Sequence, residues 1–220
     1  MDDSNAPRQL IVEGQDDRQA VVELMRAHIP GWPKQGKLNA PVIVNLGNSV
    51  SEILATDYLK TILKTSSLKI LGVMLDADGG VKPSARYDSF RAQCEELVPS
   101  LPKELPAEGL IADSADKRIG LWIMPDNVKE GGLETFLQHL VQPEDGPLWD
   151  HAIASCLEAK KCGAKHREPH HVIKANMYSF LSWQDPPGQS PGNAISRSVL
   201  DPHSSSARPF LTWFKTLYGI

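Results

Sequence analysis

The sequence is short of most features that place a protein in a function class at sight. It has three cysteines, Cys94, Cys156 and Cys162. An odd number without regular spacing argues against a disulfide framework and fits a reducing compartment. Long apolar runs are missing too. The best two, residues 70–75 and 121–125, are strand-sized, whereas a bilayer-spanning helix needs roughly 20 apolar residues. The opening stretch MDDSNAPRQ has neither a basic start nor an apolar segment, so no secretory signal is expected there and the expected location is the cytoplasm. Nor is there an excess of positive charge: Lys and Arg number 23 against 27 Asp and Glu, for a net charge of -4. The overall field therefore gives no support for non-specific nucleic-acid binding, which would need a local basic patch or bridging metal ions. A Gly-x-Ser-x-Gly elbow, a Rossmann glycine fingerprint, a His-Glu-x-x-His pair and a Walker A sequence are all missing. Serine hydrolase, dehydrogenase and zincin readings lose their support accordingly, and ATP-driven control would need a partner.

What is present is patterned for an ordinary globular core. Hydrophobic residues make up 41% of the chain and charged ones 23%. Strand-like runs fall at 10–12, 41–47, 68–75, 109–112 and 118–124. Helical spacing follows the first through Ala20, Val21, Leu24, Met25 and His28. It follows the second from Ser49 or Ser51 through Leu54, Tyr58, Ile62 and Leu63, and the third through Tyr87, Phe90, Cys94 and Leu97. After the last strand the pattern is helical over 133–141, 148–160, 170–183 and 210–218, with a Pro-, Ser- and Gly-rich stretch at 186–209 that reads as a loop or loosely ordered arm. Alternating strands and helices describe an α/β fold with a mostly parallel sheet. We expect an α/β core over 1–142 and a helical C-terminal extension, 143–220, packed on it.

In such sheets sites form outside the carboxyl ends of the strands. Three strand-like runs here end in acid: Glu13, then Asp76 and Asp78, then Asp126. Crowded carboxylates repel one another unless a cation lies between them, and an all-oxygen set suits a hard divalent ion such as Mg²⁺ or Mn²⁺. Asp76-x-Asp78 places two carboxylates in register, and the following Gly79-Gly80 lets the backbone turn away. Asp17, four residues after Glu13, can be aimed back at it by the first helical turn. Taken singly, each acid also has a plain reading as a loop-former or helix-start residue; the coincidence of three strand ends favours a metal site.

Val12-Glu13-Gly14-x-Asp16-Asp17, followed later by Leu75-Asp76-Ala77-Asp78, resembles the Toprim signature of topoisomerases, bacterial primases and the OLD (overcoming lysogenisation defect) nucleases. Trp122 to Asn127, Gly132-Leu133-Glu134, His171-x-x-Lys174-Ala175 and the tail from Trp183 to Trp213 are similar to a small bacterial family of Toprim-like proteins related to the OLD nucleases. The resemblance implies a Toprim-like sheet and two-metal phosphodiester hydrolysis, in which one ion serves water activation, the other the leaving oxygen, and a lysine offsets charge at the phosphate. Glu13 matches the Toprim glutamate, as metal ligand or general acid/base. Asp76 and Asp78 match its metal-binding aspartates, and Asp17 matches the second acid of the OLD-type first motif. Glu134 matches a further OLD ligand, although Gly132 stands where that pattern has Asp. Lys174 corresponds to the basic residue at the phosphate.

Cys156, Cys162, His166, His170 and His171 invite a zinc reading, but there is no Cys-x-x-Cys knuckle; a core cysteine and surface histidines account for them better. Lys160, Lys161, Lys165, His166 and Arg167 form one basic cluster, with His170, His171 and Lys174 just beyond, readable as a solvated helix end or as a phosphate-backbone track. Trp122 and Trp149 read as core residues. Trp183, Phe210, Trp213, Phe214 and Tyr218 read as the contacts that dock the C-terminal arm, with a homodimer interface as the second option. The leading expectation is a Mg²⁺- or Mn²⁺-dependent nuclease, with DNA ahead of RNA as partner. Glu13, Asp17, Asp76, Asp78, Asp126 and Glu134 are its expected metal residues, and Glu13 and Lys174 its catalytic ones. Two rivals stand beside it: a non-catalytic Toprim-like subunit working with an ATPase, and another Asp-x-Asp enzyme such as a phosphatase or nucleotide-sugar transferase.

Overall fold

A computed structural model describes residues 6–34, 40–55, 57–114, 116–165 and 169–220. Its centre is β3 (Ile70–Asp76), a nearly continuous apolar strand flanked by β1 (Arg8–Val12) and β5 (Lys117–Met124), both parallel to it. Beyond β1 lies β2 (Ile43–Leu46), also parallel, and beyond β5 lies the antiparallel β4 (Leu110–Ser114). The described residues thus form a five-stranded, mostly parallel sheet in the order β2-β1-β3-β5-β4.

Alternation along each strand divides the core in two. Ile11, Leu71, Val73, Leu75, Leu121 and Ile123 face one layer; Leu10, Val12, Met74, Trp122 and Met124 face the other. The first layer is covered by α2 (Val50–Ile53), α3 (Tyr58–Leu63) and α4 (Pro83–Cys94), through Ile53, Leu59, Leu63, Tyr87, Phe90 and Cys94. Ser49 caps α2, its Oγ accepting from the amide of Glu52 at 3.1 Å. The single helix expected after Ser49 is instead two short ones, with the chain turning at Asp57 in the left-handed conformation (φ 69°) that begins α3.

The second layer is built by α1 (Gln15–His28) and α5 (Leu133–Leu137) together with four later helices: α6 (Gly146–Lys161), α7 (Pro169–Ser182), α8 (Pro191–Ser196) and α9 (Arg208–Tyr218). The segment after residue 142 therefore supplies four of the helices that cover this face of the sheet. Residues 186–209 depart from the expected loose arm. Ser190 caps α8 and Pro191 occupies its first turn. Gly192 packs so closely on α1 that a Cβ there would lie 2.6 Å from Gln19 Cβ. Ala194, Ile195 and Leu200 are buried. The small and capping residues of this stretch serve close packing, which composition alone does not distinguish from flexibility.

The aromatic end of the chain docks on the sheet. Phe210, Trp213, Phe214 and Tyr218 are buried, Trp213 Nε1 donates to the carbonyl of Leu110 at 2.9 Å, and Tyr218 Oη donates to that of Gln9 at 2.7 Å. Trp122 is buried beneath them and Trp149 is partly buried against Phe180. Trp183 differs: it is 45% exposed and lies against His151. No helix among the described residues is long and apolar enough to cross a membrane.

Candidate functional site

Because β1 and β3 are parallel neighbours, Glu13 and Asp76 come out at the same edge, and the side chain of Glu13 is bonded to the backbone of Asp76. Glu13 Oε1 accepts from the amide of Asp76 at 2.5 Å, and Asp76 Oδ1 accepts from the amide of Leu133, at the start of α5, at 3.1 Å. This relay fastens two strand ends to a helix start, where a carboxylate is favoured by the free N–H groups. Asp17, on the first turn of α1, folds back so that its Oδ2 accepts from the amide of Gly14 at 3.0 Å. Asp78 takes the left-handed conformation (φ 63°) that Asp tolerates better than most residues, and its amide bonds to the carbonyl of Gly131 at 2.9 Å. Gly132 packs directly on the carboxylate of Asp76: a Cβ there would lie 2.4 Å from Asp76 Oδ2, so a side chain at this position would displace it.

These residues line one cleft of about 350 Å³. Glu13, Asp17, Asp76, Asp78 and Glu134 contribute the acids, and Lys174 stands with them on α7. Lys174 Nζ pairs with Glu134 Oε1 at 2.8 Å, and Arg86, from α4, pairs with Asp78 Oδ2 at 2.7 Å. Tyr178, one turn after Lys174, hydrogen-bonds to the carboxylate of Asp16 and ties α7 to α1. Asp126, expected among the metal residues, is not among those lining the cleft. It sits past Pro125, where its Oδ1 accepts from the amides of Val128 and Lys129 at 3.1 and 2.8 Å, so it shapes the turn after β5.

The cleft also holds residues that are not among the expected site residues. His170 and His171, which the sequence leaves open between surface histidines and part of a phosphate-backbone track, line the cleft one turn before Lys174, their rings 4.2 Å apart. Their spacing from Lys174 on one helix was the available signal. Asn48 and Arg86 had none, since only the tertiary fold brings the ends of β2 and α4 to this place. Cys156 is buried against Ser179, with Sγ and Oγ 3.2 Å apart, and Cys162 is exposed. Lys160, Lys161 and Lys165 are exposed, while His166 and Arg167 of the same cluster lie outside the described residues.

Burial governs the electrostatics. It pushes Glu13 up to about 7 against the opposing hydrogen bond from the amide of Asp76, with the charges of Asp17 and Asp78 adding to the rise. Asp17 rises to about 6, again through burial first, opposed by the amide of Gly14 and reinforced by Glu134. Asp76 is held well above the usual carboxylate range by burial and by the charges of Asp17, Glu13 and Glu134. Lys174 keeps its proton more firmly than usual: burial works against it, but the hydrogen bond and charge of Glu134 prevail.

The donors lining the cleft are of the chemical type that hard divalent cations prefer. Asp17 Oδ1 is buried with no hydrogen-bond partner, and the surrounding donors are carboxylate oxygens, the ligands that Mg²⁺ and Mn²⁺ prefer. Among the described residues, no group of three or more His, Cys, Asp or Glu side chains is placed so that it could hold a metal ion. Each of the five acids has one oxygen engaged, by a backbone amide or by a cationic side chain.

Sheet and cleft together define an α/β protein with a carboxylate-lined cleft outside the carboxyl ends of its central parallel strands. The chain belongs to the family described as "Protein of unknown function (DUF3226)", whose model matches residues 7–219. No curated protein and no solved structure is matched by the chain.

Proposed function

We propose that the protein is a divalent-metal-dependent phosphodiesterase of the Toprim type, related to the OLD nucleases and acting on nucleic acid, with DNA ahead of RNA. The observation that carries this reading is the convergence of Glu13, Asp17, Asp76, Asp78 and Glu134 on one cleft that also holds Lys174. Those five residues would hold Mg²⁺ or Mn²⁺, which when bound supplies Lewis acidity and charge compensation toward a phosphate. Glu13 holds the amide of Asp76 and so fixes the start of the Asp76–Asp78 turn. Lys174, with His170 and His171 beside it, offers donors to the phosphate oxygens.

The test is cleavage of supercoiled plasmid, linear duplex, single-stranded DNA and RNA with Mg²⁺ or Mn²⁺ against EDTA. Metal-dependent cutting is expected, and Glu13→Gln and Asp76→Ala should each reduce it by on the order of a thousandfold while the protein remains folded. Full activity in folded Glu13→Gln would sink the assignment. No cutting of any substrate by folded protein would favour the second reading, a Toprim-like subunit that works with an ATPase partner. The net charge of -4, and the finding that no group of three or more His, Cys, Asp or Glu among the described residues is placed to hold a metal ion, speak for that reading; co-purification with an ATPase is its own test.

A further inference from the structure

The cleft carries its own cations, and one of them sits in an unequal partnership. In the Lys174–Glu134 pair the side chain of Glu134 is 11% exposed and that of Lys174 is 51% exposed. A buried carboxylate stays charged only with a cation or hydrogen-bond donors beside it. A half-solvated ammonium on a flexible stem loses little by letting go, because water takes over its solvation. Asp17 Oδ1, in the same cleft, is buried and has no hydrogen-bond partner at all. An incoming cation therefore meets two buried acids, one with a free oxygen and one held by an ammonium that can be exchanged.

We propose that Lys174 is an exchangeable counter-ion: a divalent cation replaces it on Glu134, and the freed ammonium turns to a phosphate group in the same cleft. This rests on the metal-centre reading above. Its consequence is cooperativity. A phosphate that draws Lys174 away from Glu134 removes the cation's competitor, and by linkage the cation strengthens phosphate binding by the same factor. His170 and His171 precede Lys174 by one turn of α7 and line the cleft, so the displaced ammonium moves among further donors suited to a phosphate. In the absence of phosphate, Lys174 keeps the cation affinity low.

Calorimetric titration of the full chain with MnCl₂, alone and with dimethyl phosphate as a minimal phosphodiester, tests this without any turnover. Dimethyl phosphate should tighten Mn²⁺ binding by on the order of five- to tenfold. Lys174→Met should bind Mn²⁺ about tenfold more tightly than wild type without phosphate, and should lose the phosphate effect. Should that variant fail to fold with Glu134 uncompensated, Lys174→Arg serves instead. Its planar guanidinium grips a carboxylate with two donors, so it should weaken Mn²⁺ binding several-fold. If dimethyl phosphate leaves the wild-type affinity unchanged, or neither variant shifts it in the stated direction, the exchange is overturned while the metal centre stands. If the wild-type chain binds no Mn²⁺, both fall together.

Discussion

Glu13 and Asp17 hold their protons more firmly in the folded chain than out of it, because burial disfavours their charged forms. Between its unfolded and folded pKa each group takes up a proton on folding, so its contribution to stability falls as pH rises through that window. For Glu13 the window runs from 4.5 to about 7, and for Asp17 from 3.8 to about 6. In EDTA, wild-type protein should therefore melt at a lower temperature at pH 7.5 than at pH 5. Glu13→Gln keeps an acceptor for the amide of Asp76 but carries no charge. It should raise stability at pH 7.5 by about 1–3 kcal/mol, several degrees for a chain of this size, and flatten the pH slope. Mg²⁺ should stabilise wild type more at pH 7.5 than at pH 5, and Glu13→Gln less at either. Thermal melts in EDTA and in Mg²⁺ at the two pH values decide it; a wild-type melting temperature that climbs from pH 5 to 7.5 in EDTA would contradict the assignment of burial to these acids.

At the scale of elements, the position of α9 depends on two glycines that face each other across β3 and β5. Gly72 and Gly120 are paired in register, and both lie beneath the last turn of α9. A Cβ on Gly72 would lie 2.3 Å from Tyr218 Oη, and one on Gly120 would lie 2.6 Å from Leu217 Cδ2. Gly72→Ala should therefore destabilise the protein by about 1–3 kcal/mol through overpacking. Adding Tyr218→Phe removes the colliding hydroxyl, at the loss of its bond to the Gln9 carbonyl, worth about 1 kcal/mol. The double variant should be more stable than the sum of the single changes, measured by chemical denaturation as a double-mutant cycle. Strict additivity would mean that α9 does not seat on Gly72. Both glycines stood in runs that read correctly as strands, yet their purpose was hidden, since nothing in those runs tells which helix returns to lie on them.

For the whole molecule, a net charge of -4 and an acidic cleft oppose a polyanion unless cations intervene. Binding of a labelled DNA duplex, followed by fluorescence anisotropy at roughly 0.1 M salt, should therefore be weak in EDTA. It should strengthen at least tenfold in Ca²⁺, which suits the same oxygen ligands, and Asp76→Ala should lose that gain. Equal affinity in EDTA and Ca²⁺ would move the contact away from the cleft, to the exposed Lys160, Lys161 and Lys165.

The strand runs, their α/β order and the acids at their ends could be read from the sequence because they follow from local rules: apolar continuity marks a central strand, and Glu13 and Asp76 lie where such strands stop. Lys174 and Glu134 entered through resemblance of short motifs, without any indication that they touch. Tertiary structure decided the rest. It set the order β2-β1-β3-β5-β4, and with it the adjacency of Glu13 and Asp76. It kept Asp126 out of the cleft, brought His170 and His171 into it, and paired Arg86 with Asp78 at its edge. It also turned a stretch composed like a loose arm into a buried part of the second layer. The reason is the same in each case: hydrophobic periodicity and capping act over a few residues, whereas which helix covers which face, and which carboxylates are buried together, depends on surfaces meeting across the whole chain.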